Sequence, residues 1–129
     1  MADNPYAKYA DNALFTAPKE ELALMLYDGA LKFANQAVTA LEAKDYAKVN
    51  EMIIRVENII IEFQMTLDKK YEVSNNLNLL YDYMYRRLLD ANIQKEMEPL
   101  VEVRDMIREL RDTWKEAMKL AKQNPLPMQ

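Results

Sequence analysis

With no cysteine and no histidine among its 129 residues, this chain has only carboxylates, lysines, arginines and tyrosines with which to do chemistry. That absence excludes disulfides, thiolate nucleophiles, the usual zinc sites, Ser-His-Asp triads, Glu-x-x-His di-iron sites and histidine phosphorelay. An enzyme made from the remaining types needs convergent carboxylates or an activated nucleophile. The acidic residues instead scatter over outward positions of every amphipathic stretch, and none surround a turn glycine as in a calcium loop. The expectation is a protein with no catalytic residue, no metal and no cofactor.

The charge pattern points the same way. Seventeen basic and twenty-one acidic side chains give a formal charge of -4, which disfavours nucleic acid as a partner. Arg104, Arg108, Arg111, Lys115, Lys119 and Lys122 form one strip with Glu102, Asp105, Glu109, Asp112 and Glu116 beside it, the pattern of a solvated helix face. The longest uninterrupted apolar run, Leu22 to Tyr27, is too short to span a bilayer, and the first residues lack the layout of a signal peptide. No membrane insertion is expected.

The elements that must position any functional side chain are helices. One glycine in the whole chain, with many Ala, Leu, Glu, Lys and Met, is a helical composition, because hairpins and barrel corners demand glycine. Breaks at 16–18, 43–45, 69–75 and 91–99 divide the chain into an arm, four helices and a tail. The first helix is expected over about 17–43, with Ala23, Leu26, Ala30, Phe33, Ala37 and Ala40 on one face. The second, over about 45–68 with Asp45 as its cap, carries Tyr46, Val49, Ile53, Val56, Ile60, Phe63 and Leu67 on an unbroken seam. A third over about 74–91 presents Leu77, Tyr81, Met84, Leu88 and Ala91. The last, over about 95–122, presents Leu100, Val103, Ile107, Leu110, Trp114, Ala117 and Ala121. Short links between long amphipathic helices predict an all-α, antiparallel up-down-up-down four-helix bundle. It is a single domain over 1–129, with an N-terminal arm over 1–15 and a tail over 123–129 expected to be mobile.

Beyond this core, the second helix carries more apolar side chains than one seam requires. Met52 and Ile59 flank the seam on one side, and Ile54, Ile61 and Met65 on the other; Met106 and Met118 are off-seam on the last helix. Wide stripes are also normal where each helix touches two neighbours, so core and partner surface both remain open for these residues. In the arm, Tyr6 and Tyr9 share one face of a helical turn, suited either to packing on the bundle or to covering a groove. The candidate partner-binding residues are therefore Tyr6, Tyr9, Ile54, Ile61, Met65 and Met106.

The strings TAPKEELALMLYDGALKF at Thr16 to Phe33, NLLYDYMYRRLLDANIQKE at Asn78 to Glu96 and ELRDTWKEAMK at Glu109 to Lys119, with NPYAKY in the arm and TLDKKY at Thr66 to Tyr71, resemble the flagellin-specific export chaperone family, FliS. At one point the chain departs from the family pattern, with Pro18 and Lys19 where a Ser or Thr and then a Pro stand. The resemblance implies a cytoplasmic helical bundle that binds the disordered C-terminal segment of flagellin, prevents its premature polymerisation and supports export. It also implies contact with export gate components through the complex and an arm whose hydrophobic pair falls on Tyr6 and Tyr9; the protein itself is expected to be a monomer or weak homodimer. The alternative is a generic helical scaffold acting as a homodimer through the second helix.

Overall fold

The structure is a computed structural model that describes residues 19–67 and 72–123. The described residues form four helices, α1 (Lys19–Glu42), α2 (Tyr46–Thr66), α3 (Glu72–Gln94) and α4 (Met97–Gln123), as the apolar periodicity predicts. The Asp45 side chain caps α2 by accepting from the Lys48 backbone N–H at 3.3 Å. The expected arm, including Tyr6 and Tyr9, and the tail from 124 onward lie outside the described residues.

Two tight reversals join the helices without glycine. Lys44 and Lys95 take the left-handed conformation, at φ 59° and 54°, and the next N–H in each case reaches back five residues, Asp45 to the Ala40 carbonyl and Glu96 to the Ala91 carbonyl. This closure uses up helix-end carbonyls that would otherwise lack partners. It also lets α3 run to Gln94, beyond the expected end at Ala91.

Each helix packs on two neighbours, α1 and α3 each lying between α2 and α4. Side-chain pairs set the antiparallel sense. Tyr27 stacks on Phe63 while Phe33 lies under Arg55, and Trp114 donates its indole N–H to the Glu20 carbonyl while Arg111 meets Asp28. The axis is filled by Ala34, Ala37, Val49, Ile53, Val56, Ile60, Met84, Leu88, Leu100, Val103 and Ile107, all nearly inaccessible to solvent. The small α1 residues allow the close approach expected from their size.

At one end of this core an aromatic stack crosses the bundle. Phe63 of α2 lies 4.4 Å from the Tyr27 ring of α1 and 5.6 Å from the Tyr81 ring of α3. The two hydroxyls meet at 2.6 Å, so a buried hydrogen bond links the diagonal pair α1 and α3. Burial raises both phenols above their ordinary range, and they remain neutral partners.

Two seams end earlier than the periodicity predicts. Tyr46 stays exposed because, in the antiparallel register, it lies level with residues past the end of α3. Ala117 and Ala121 are also exposed, since Trp114 already reaches the first turn of α1 and is the last α4 side chain packed against the core.

The Tyr27–Tyr81 bond makes an asymmetric prediction. Tyr81→Phe leaves a buried Tyr27 hydroxyl without its partner and is expected to cost about 1–3 kcal/mol. The double variant Tyr27→Phe/Tyr81→Phe removes both polar groups and should lose less than the sum of the single changes. Urea unfolding of the three variants checks this, and strictly additive losses would contradict it.

Candidate functional site

The excess apolar residues of α2 divide into two groups. At about 100° per residue, Met52 and Ile59 turn toward α1; Met52 is buried and Ile59 packs against the core. Ile54, Ile61 and Met65 turn the other way and remain 42%, 37% and 75% exposed.

What separates those three from the core is a polar stripe. Asn50, Glu57 and Gln64 recur every seven residues on the α2 face turned toward α3. Asn92 donates its amide to Asn50 Oδ1 at 2.7 Å, and Gln64 donates to Asn78 Oδ1 at 3.2 Å. The two pairs share one antiparallel register, which sets Glu57 level with Tyr85. Outside this stripe, the α3 flank contributes Leu89 and Ile93, 37% and 79% exposed. In this register Leu89 and Ile93 lie level with Ile53 and Val49, beside Ile54, and Ile61 and Met65 carry this apolar strip at the edge of the α2–α3 seam further along α2.

Two charge pairs beside the strip lie within single helices, while Glu62, next to Ile61, has no ion pair among the described residues. Arg55 meets Glu51 and Arg86 meets Asp82, each at 3.2 Å. Such exposed i, i+4 pairs contribute little stability.

The α3–α4 seam is of a different kind. Tyr83 donates its hydroxyl, and Arg87 its Nε–H, to the two carboxylate oxygens of Glu102, both at 2.7 Å. The Arg87 hydrogen bond, with that of Tyr83, holds the Glu102 carboxyl below its ordinary value. Met106 lies on this side, partly buried against the core and lining a small cleft with Leu80 and Leu110. Of the six candidate residues, Ile54, Ile61 and Met65 come together, Met106 stands apart, and Tyr6 and Tyr9 lie outside the described residues.

Following one seam per helix overlooks Leu89, Ile93 and Glu57. Leu88 and Leu89 are adjacent, so only one can reach the axis, and Ile93 follows Leu89 by one turn. Glu57 interrupts the apolar run IIRVENIII, which is itself a signal. It is 7% exposed, and its Oε2 has no hydrogen-bond partner.

A depression of about 710 Å³ lies elsewhere, along Asp28, Lys32, Gln36 and Thr39 of α1 beside Arg111. Asp45 and Lys48 complete its charged rim, and Arg111 meets Asp28 across it. Among the described residues no three acidic side chains come together to hold a metal, and no helix is long and apolar enough to cross a membrane.

An exposed apolar strip on a helical bundle is the kind of surface that protein partners cover. The model of the family described as "Flagellar protein FliS" matches residues 2–121. The flagellar secretion chaperone FliS of Bacillus subtilis is 44% identical over 89% of this chain and 86% of that protein. Those of Salmonella typhimurium and Escherichia coli are 32% and 30% identical over 82% and 84% of the chain. The chain belongs to the FliS family of flagellar secretion chaperones, which are not enzymes.

Burial pushes the Glu57 carboxyl above its ordinary value of 4.5. A carboxyl raised in the folded chain favours folding while it is neutral. That contribution is fully present below about pH 4.5 and is lost as pH rises through the raised folded value. Glu57→Gln cannot ionise, so its melting temperature is expected to exceed wild type by a margin that widens between about pH 4 and pH 7. Paired melting curves across that range test this; a margin independent of pH would contradict it.

Proposed function

We propose that this chain is an export chaperone for flagellin, and that the α2–α3 strip receives part of the flagellin C-terminal segment in the cytoplasm. The observation that carries the reading is the grouping of Ile54, Ile61 and Met65 with Leu89 and Ile93 on one solvent-facing band. Family membership supports the chaperone role.

The physical requirement is that a client ordering on binding must offset its lost chain entropy by burying long apolar surface. An amphipathic helix laid along α2 and α3 would present side chains every three or four residues to this band. Unbranched Met65 adapts to a variable partner surface. Few charges border the strip, which favours shape and burial over a charged socket and suits a cargo that must later be released.

Met106, between α3 and α4, adds a contact for a client long enough to wrap onto that seam. Tyr6 and Tyr9 enter as arm residues that compete for or complete the client surface, a role resting on the sequence resemblance. The loaded complex, in this reading, is what meets the export gate components.

Ile60 and Ile61 are adjacent yet differ in environment, 2% and 37% exposed. Ile60→Asp places a carboxylate in the core and is expected to cost several kcal/mol, enough to unfold a marginal domain. Ile61→Asp is expected to fold and to weaken binding of a flagellin C-terminal peptide at least tenfold, about 1.4 kcal/mol. Melting curves and calorimetric titrations decide the matter. Normal binding by folded Ile61→Asp would place the client elsewhere.

A further inference from the structure

Of the three α2 stripe residues, Glu57 is the one with a buried polar atom that lacks a hydrogen bond. One heptad before it Asn50 is bonded to Asn92, and one heptad after it Gln64 is bonded to Asn78. Between these satisfied rungs, Glu57 Oε2 is buried without a hydrogen bond. A buried acceptor left unpaired is costly, and a leucine or methionine there would extend the apolar run at no such cost. The carboxylate therefore has a use that the isolated bundle does not reveal.

Its position says what that use is. Ile54 lies one turn before Glu57 and Ile61 one turn after, both on the exposed strip. A client side chain seated between them comes within reach of the Glu57 head group. The side chain has three rotatable bonds, and because Oε2 has no partner in the seam, turning it outward breaks no hydrogen bond at that oxygen. The nearby cations are engaged, Arg55 with Glu51 and over the Phe33 ring, Arg86 with Asp82, and Arg87 with Glu102.

We propose that Glu57 is the polar anchor of the client surface, turning from the α2–α3 seam to accept hydrogen bonds from a donor side chain, lysine, arginine, asparagine or glutamine, on the docked flagellin segment. This rests on the reading of the strip as the flagellin site and adds the chemistry that selects the client's register. An ionised carboxylate only accepts, so an acidic client side chain is rejected at this position and a cationic one is bound most strongly. Apolar contact along the strip tolerates sliding by a turn, whereas one directed donor–acceptor pair does not. The raised protonation range of the buried carboxyl fits a group that gains by leaving its pocket for a donor.

The test uses the full chain and a flagellin C-terminal peptide. Glu57→Leu is expected to resist urea better than wild type and yet to bind the peptide at least tenfold more weakly; Glu57→Gln keeps an acceptor oxygen and should fall between. Each Lys, Arg, Asn and Gln of the peptide is then changed to Ala. One of these changes should weaken binding to wild type about as much as Glu57→Leu does, and have little further effect on Glu57→Leu. Wild-type binding that Glu57→Leu leaves intact, or the absence of any coupled peptide position, overturns the anchor while sparing the flagellin reading. Failure of the wild-type chain to bind the peptide overturns both.

Discussion

The structure turns on an imbalance in α2, a helix with two apolar faces, parted by the Asn50, Glu57 and Gln64 stripe, in a bundle that offers it one core. Val49, Ile53, Val56 and Ile60 fill the axis, Met52 and Ile59 are taken up against α1, and Phe63 joins the aromatic stack. Ile54, Ile61 and Met65 are left with nothing within the described chain to cover them. Exposed apolar side chains at helical spacing are retained at a cost in solubility, and their grouping with Leu89 and Ile93 makes a surface from what would otherwise be scattered residues.

The seams of the bundle are chemically unlike one another, and the difference bears on function. The α1–α2 contact is apolar and aromatic. The α3–α4 contact is clamped by Tyr83, Arg87 and Glu102. The α2–α3 contact is bordered by side-chain amides and one unsatisfied carboxylate, groups that exchange partners more readily than packed hydrocarbon does. The client strip borders this last seam, while the diagonal Tyr27–Tyr81 bond ties α1 to α3 at one end. Such an arrangement keeps the bundle in register while one face accommodates a partner.

Much of this is legible in the sequence, for identifiable reasons. Helix number, fold class and most of the core follow from glycine scarcity and unbroken 3,4 spacings, and Asp45 marks the start of α2. Tyr46 and Ala121 sit on those same spacings but outside the core, because periodicity carries no information about where a neighbouring helix ends. Lys44 and Lys95 in left-handed turns give no composition signal, since glycine is the residue that normally marks such positions. At the site, Ile54, Ile61 and Met65 are visible as excess on one helix. Where Leu89 and Ile93 fall beside Ile54, and the separation of Met106, depend on the α2–α3 register, which the Asn50–Asn92 and Gln64–Asn78 bonds mark and which is a tertiary fact.

The central claim is that the exposed band along α2 and α3 is the client surface. Isoleucine side-chain methyl NMR tests it most directly, because isoleucines sit both in the core and on the band. On titration with the flagellin C-terminal segment, the methyl signals of Ile54, Ile61 and Ile93 are expected to shift strongly, and those of Ile53, Ile60 and Ile107 to move little. Unmoved Ile54, Ile61 and Ile93 signals alongside shifts at Ile59 or in the core would contradict the account and place the client on another face.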